Sequence, residues 1–96
     1  MYILITYDIN VTSLKGQRRL RKVAKICVNY GQRVQNSVFE CKLTEAELLR
    51  VKKQLLDVID KETDSLRFYR LGDNYEKKVQ HIGAKETYKV DEAMII

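Results

Sequence analysis

Seven residues near the N-terminus, YILITYD (2–8), constrain this chain more than any other stretch. They read as a β-strand with Ile3, Ile5 and Tyr7 on one face and Tyr2, Leu4 and Thr6 on the other, so both faces are largely apolar. A strand wet on one side alternates apolar with polar residues; this one needs cover on both. A chain of 96 residues makes one domain with a single modest core and has little left to cover a second face. A second copy of the chain is the economical cover. The strand then ends on Asp8, a carboxylate that should not be buried without a partner.

The remaining pattern supplies the rest of the sheet. A helix is predicted over 13–30, with Leu20, Val23, Ala24 and Cys27 as its inward stripe and Gly31 as its C-cap. RVQNSVFECKL (33–43) reads as two short strands broken at Asn36-Ser37. TEAE (44–47) is a capping box, opening a second helix whose inward residues are Leu48, Val51, Leu55 and Ile59. DSLRFYRL (64–71) is a strand, GDN (72–74) a turn, and 78–83 a short last strand. The order β-α-β-β-α-β with one extra strand predicts an α+β fold, a ferredoxin-like plait that forms a homodimer. Residues 1–72 make the domain and 73–96 an extension whose short strand is available to pair with the partner protomer. No proline, repeat or low-complexity stretch interrupts the domain.

Eighteen Lys and Arg against 13 acids give a net charge of +5. A dimer doubles that excess, which favours a polyanionic partner because each neutralised phosphate releases condensed counterions. Cys27 and Cys41 are too few and too far apart for a zinc site and are expected to be reduced core residues. No apolar run approaches the roughly 18 residues a membrane span needs, and the apolar N-terminal stretch is too short for a signal peptide. No membrane association and a cytoplasmic location are therefore expected.

Two roles are open to Asp8. One is an Asx turn leading into the first helix. The other is metal ligation: paired with its symmetry mate across a dimer axis, Asp8 would bind a divalent cation, because two facing carboxylates repel when bare. Such a metal activates water and neutralises a phosphodiester. Arg19, on the flank of the buried stripe, and Arg33, just past the helix, are candidate phosphate clamps. Arg18, Arg21, Lys22 and Lys25 form a basic helix face, either a solvated surface or a backbone-binding one. Phe39 is a core residue or a base-stacking platform. His81 reads as an exposed strand residue, and Asp57, Asp60, Glu62 and Asp64 as a solvated acidic helix end. Ser37 has no evident base and is not favoured as a nucleophile.

Four segments together carry a resemblance: the strand ending in YDI (7–9), the helix GQRRLRKVAK (16–25), YGQRVQNSVFE (30–40) and DSLRFYRL (64–71). Over residues 1–71 the chain resembles the smaller of the two core CRISPR adaptation proteins, a CRISPR-associated endonuclease family. The resemblance implies a ferredoxin-like homodimer in which Asp8 is the magnesium-associated acid, with Mn2+ an alternative ion. It implies a metal-dependent endonuclease acting on double-stranded DNA or single-stranded RNA. It also implies the DNA-binding bridge of the spacer integration complex, flanked by the larger adaptation integrase protein. Positions tied to activity in that family fall here on Tyr7, Asp8, Arg19, Arg21, Arg33 and Phe39. Asn10 stands where a second acid often follows YDI, so no second carboxylate is expected there. The family's C-terminal segment adds a strand to the partner's sheet, a role open to VQHIG (79–83), while Met94, Ile95 and Ile96 are placed to dock a partner protein. A non-catalytic scaffold and a stand-alone toxin-like ribonuclease are the alternative readings.

Overall fold

The computed structural model describes residues 1–72, 74–80 and 82. Its elements are β1 (Tyr2–Asp8), α1 (Leu14–Val28), β2 (Gly31–Gln35), β3 (Val38–Lys42), α2 (Glu45–Leu56), β4 (Ser65–Arg70) and a single turn of helix, α3 (Tyr75–Lys78). The four strands form one sheet in the order β2-β3-β1-β4, with every neighbouring pair antiparallel. Strand β1 is central: Ile5 stands opposite Phe39 of β3 on one side and Phe68 of β4 on the other. This is the split β-α-β plait that the order of elements predicts.

Helices α1 and α2 cover one face only. Their inward residues Val23, Cys27, Leu48, Val51 and Leu55 form one core with Ile3, Ile5 and Tyr7 of β1 and Phe39 and Cys41 of β3. The period-2 alternation of a strand then puts Tyr2, Leu4, Thr6 and Asp8 on the opposite, open face. Leu4 and Thr6 are only half-buried there. Both cysteines are free thiols in the core. Burial pushes each up to about 12, so neither ionises near neutral pH.

Local signals fix the helix starts. Ser13 accepts a hydrogen bond from the Gly16 amide (3.1 Å), and Thr44 and Glu47 exchange the two bonds of the capping box at 2.9 and 3.1 Å. The end of α1 differs from expectation. It is capped at Asn29 in a right-handed conformation, and Gly31, whose φ is not positive, is instead the first residue of β2. Gly31 is glycine because a Cβ there would collide with the Glu40 carbonyl and the Cys41 sulfur across the hairpin.

Two other expectations change. Ile59 lies beyond the end of α2, though it still packs on the core. The strand expected at 78–83 is not formed where it is described: Lys78 closes α3, and Val79, Gln80 and Ile82 have no strand pairing. His81, Gly83 and the terminal Met94, Ile95 and Ile96 lie outside the described residues.

Candidate functional site

Asp8 is the last residue of β1, directly opposite Ser65 at the start of β4. Its carboxylate is exposed on the open face and, among the described residues, takes no hydrogen bond or ion pair. The Asx-turn role falls instead to Asn10, whose Oδ1 accepts from the backbone amide of Thr12 at 3.0 Å and its hydroxyl at 2.7 Å. Asp8 lines a shallow groove with Thr6, Ser65 and Arg67. The Arg67 guanidinium is turned along its own strand, donating to the Tyr69 hydroxyl at 3.0 Å, and leaves the carboxylate unneutralised. Neither Ser65 nor Arg67 carries a sequence signal. Only the β1–β4 register places them beside Asp8.

Tyr7, Arg33 and Phe39 form a second group, beneath the helices on the other side of the sheet. Phe39 is fully buried, stacks on Tyr7 with centroids 6.2 Å apart, and lies under the Arg33 guanidinium at 5.2 Å. A buried ring cannot stack on a nucleic-acid base, so Phe39 serves as the platform that orients Arg33. The Tyr7 hydroxyl donates to the Asn36 carbonyl at 3.3 Å. Burial pushes its phenol above the ordinary range; nearby Cys27 adds to this, and Arg33 partly offsets it. Tyr7 is therefore a proton-bearing donor near neutral pH, not a base. Arg21 on α1 completes this group, with Arg33, Asn36 and Ser37 at the rim of one groove. The arginines lie on the surface and the aromatic rings below it.

Arg19 belongs to neither group. Its Nε donates to Asp64 Oδ2 at 2.8 Å and its Nη2 to Oδ1 at 3.4 Å. The acid at the end of the Asp57–Asp64 cluster is thus not solvated: the Asp64 side chain is fully buried. It also accepts from the amides of Asn10 and Asp60, both at 2.9 Å, and from the Thr63 hydroxyl at 3.2 Å. Burial alone would raise its pKa, but these donors and the Arg19 charge prevail and hold it at about 2. Its sequence signal was slight, an acid immediately before a strand, and the composition of its neighbours masked it.

On the basic helix face Arg18, Arg21, Lys22 and Lys25 are all exposed, and Lys15, Arg18, Arg19 and Lys22 border a groove closed by Asp57 and Val58. Cations spaced along one helix suit a phosphate backbone rather than base edges.

A divalent cation finds a hard oxygen donor at Asp8 but an incomplete ligand set in one protomer. Among the described residues no group of three or more His, Cys, Asp and Glu converges. Magnesium wants six oxygens and keeps several waters, so Asp8 can supply part of a hydrated ion's ligand set and, among the described residues, gains no second carboxylate beside it.

Comparison with known proteins gives a consistent result. Residues 1–79 match the family model for "CRISPR associated protein Cas2". The CRISPR-associated endonuclease Cas2 of Halalkalibacterium halodurans is 56% identical over 95 residues, covering 99% of each chain. The CRISPR-associated endoribonuclease Cas2 of Chlorobaculum tepidum is 48% identical over the full length of both. Among solved structures, Streptococcus pyogenes Cas2 superposes with a TM-score of 0.79 at 54% identity, covering 86% of this chain and all of that one. On the family model over residues 1–79 and these relatives, the chain belongs to the Cas2 family of CRISPR-associated proteins.

Proposed function

We propose that the protein is a homodimeric, magnesium-dependent endonuclease that hydrolyses phosphodiester bonds. We propose also that it acts in spacer acquisition as a DNA-binding bridge for the larger adaptation protein. The observation that carries the catalytic reading is the Asp8 carboxylate: exposed, uncommitted, and flanked by hydroxyl-bearing Thr6 and Ser65 on the open sheet face. Several features support pairing of two chains over that face. Among the described residues Leu4 and Thr6 are incompletely covered, the outer edge of β4 has no neighbouring strand, and the Gln32 side-chain oxygen is buried on that face without a donor. Exposed Val79 and Ile82 favour a tail strand laid on the partner's sheet. The names of two relatives, endonuclease and endoribonuclease, support a nucleic-acid substrate, RNA among the candidates.

Asp8 and its symmetry mate would hold the ion, which when bound would supply an activated water and neutralise charge on the phosphodiester. The chain's own residues then hold the substrate. Arg33, on its Phe39 platform, and Arg21 bind phosphate oxygens, and Tyr7 keeps the Asn36 end of the hairpin in place. Arg18, Lys22 and Lys25 attract the backbone through charge and not sequence.

The test is cleavage of duplex DNA and single-stranded RNA by wild type and Asp8→Ala, with magnesium, manganese or chelator. Loss of metal-dependent cleavage in the variant is expected; equal rates refute the site. That Asp8 is the one carboxylate lining its groove among the described residues favours a second reading, a scaffold that spaces two integrase units. Spacer acquisition by Asp8→Ala at the wild-type rate would support the scaffold, and acquisition lost with the complex still assembled would exclude it.

A further inference from the structure

We infer that Arg19 is a positioning residue for the Asp8 site: together with Asp64 it locks the two chain segments that bracket Asp8, and it makes no contact with phosphate. This rests on the nuclease reading above.

The lock is built from both sides. Asn10, whose amide donates to Asp64 Oδ1, is two residues beyond Asp8. Asp64 itself immediately precedes Ser65, the residue opposite Asp8 in the sheet. One buried carboxylate therefore ties the exit of β1 to the entry of β4, and those two strand ends set where the Asp8 side chain stands. Helix α1 is pressed onto the same loop at Gly16, where a Cβ would strike the Asn10 carbonyl. Arg19, one turn further along α1, closes the assembly through the 2.8 Å pair with Asp64.

The geometry also removes Arg19 from phosphate duty. Its Nε and Nη2 both point at Asp64, and Nη2 reaches the Thr63 hydroxyl at 3.5 Å. Arg19 does line the groove beside Lys15, Arg18 and Lys22, but only 19% of its side chain is exposed. Turning it outward to a phosphate would leave the Asp64 charge buried and uncompensated. Arg21 and Arg33, by contrast, are exposed.

Two readouts separate positioning from contact. In duplex binding across a salt series, each phosphate contact contributes about one to the slope of log affinity against log salt. Arg21→Gln should lower that slope by about one, and Arg19→Gln should leave it unchanged. In cleavage, Arg19→Gln should reduce kcat on the order of 100-fold, the scale expected for a displaced reacting group, with KM within about twofold. Asp64→Asn should reproduce that loss, and the double variant should be no worse than the weaker single. A salt slope that falls by about one in Arg19→Gln overturns the inference, as does an unchanged kcat. Should Arg19→Gln fail to fold, Arg19→Lys decides, because it keeps the charge a phosphate would feel and loses the two-pronged hold on Asp64. A lowered kcat with an intact slope is expected, and a wild-type kcat overturns the inference. If Asp8→Ala cleaves like wild type, the nuclease reading fails separately, while the salt slope still decides whether Arg19 touches phosphate.

Discussion

Tyr7 and Asp8 are adjacent in the chain and face opposite sides of the sheet. The Tyr7 ring stacks on Phe39 beneath the helices, whereas the Asp8 carboxylate stands in the open groove across from Ser65. Residues grouped by sequence as one site are thus divided by the strand's own alternation. The acid and Arg33 lie on different faces of the sheet, so a substrate that engaged both, as proposed, would have to wrap the sheet edge or use a second copy's groups.

Asp8→Asn should change activity and leave stability alone. The carboxylate has no partner among the described residues to lose, so unfolding free energy should move by no more than about 0.5 kcal/mol. If two Asp8 side chains face each other, removing both charges should also tighten the dimer in chelator. Sedimentation equilibrium of both proteins with and without magnesium checks this; a weaker dimer would contradict the shared site.

The Tyr7 hydroxyl and the Phe39 ring should separate cleanly. Tyr7→Phe keeps the stack and loses one long hydrogen bond, costing about 1 kcal/mol or less. Because burial raises the Tyr7 pKa, no limb of the pH–rate profile should belong to it near neutral pH, and the variant's profile should keep its shape. Phe39→Ala should cost about 3–5 kcal/mol in chemical denaturation, with activity falling as the Arg33 platform is lost.

Acid should attack the Asp64 lock late. The folded carboxyl, held at about 2 against an ordinary 3.8, contributes stability that is fully present above the ordinary value and is lost as pH falls toward 2. Its size is on the order of 2 kcal/mol. Denaturation of wild type and Asp64→Asn should therefore differ most above pH 4 and converge near pH 2. A constant gap across that window would show that the charge is not what Asp64 contributes.

Gly16→Ala should invert the usual helix rule. In an open helix alanine gains up to about 1 kcal/mol over glycine. At this position the new methyl meets the Asn10 carbonyl, so the melting temperature should fall and cleavage should fall with it as the loop after Asp8 moves. A stabilised Gly16→Ala would show that α1 does not press on that loop.

The local elements were legible because their causes are local. The two-faced strand at 2–8, the stripe of Val23 and Cys27, the Thr44–Glu47 capping box and the hairpin break at Asn36-Ser37 each follow from spacing or from a side chain reaching three residues along. Their order sufficed for the plait and for a central strand whose second face the described residues leave partly open. Which residues meet across that fold was not legible. Sequence distance hid the pairing of Arg19 with Asp64, 45 residues apart, and a rule that acids after a helix are solvated pointed the wrong way. Gly31 looked like a helix cap because glycine answers both a turn and a close backbone approach, and only the hairpin register shows which one applies. Composition and periodicity set what each segment can become; the partner of a charge, and so whether an arginine holds a phosphate or a buried acid, depends on contacts that exist only once the sheet has assembled.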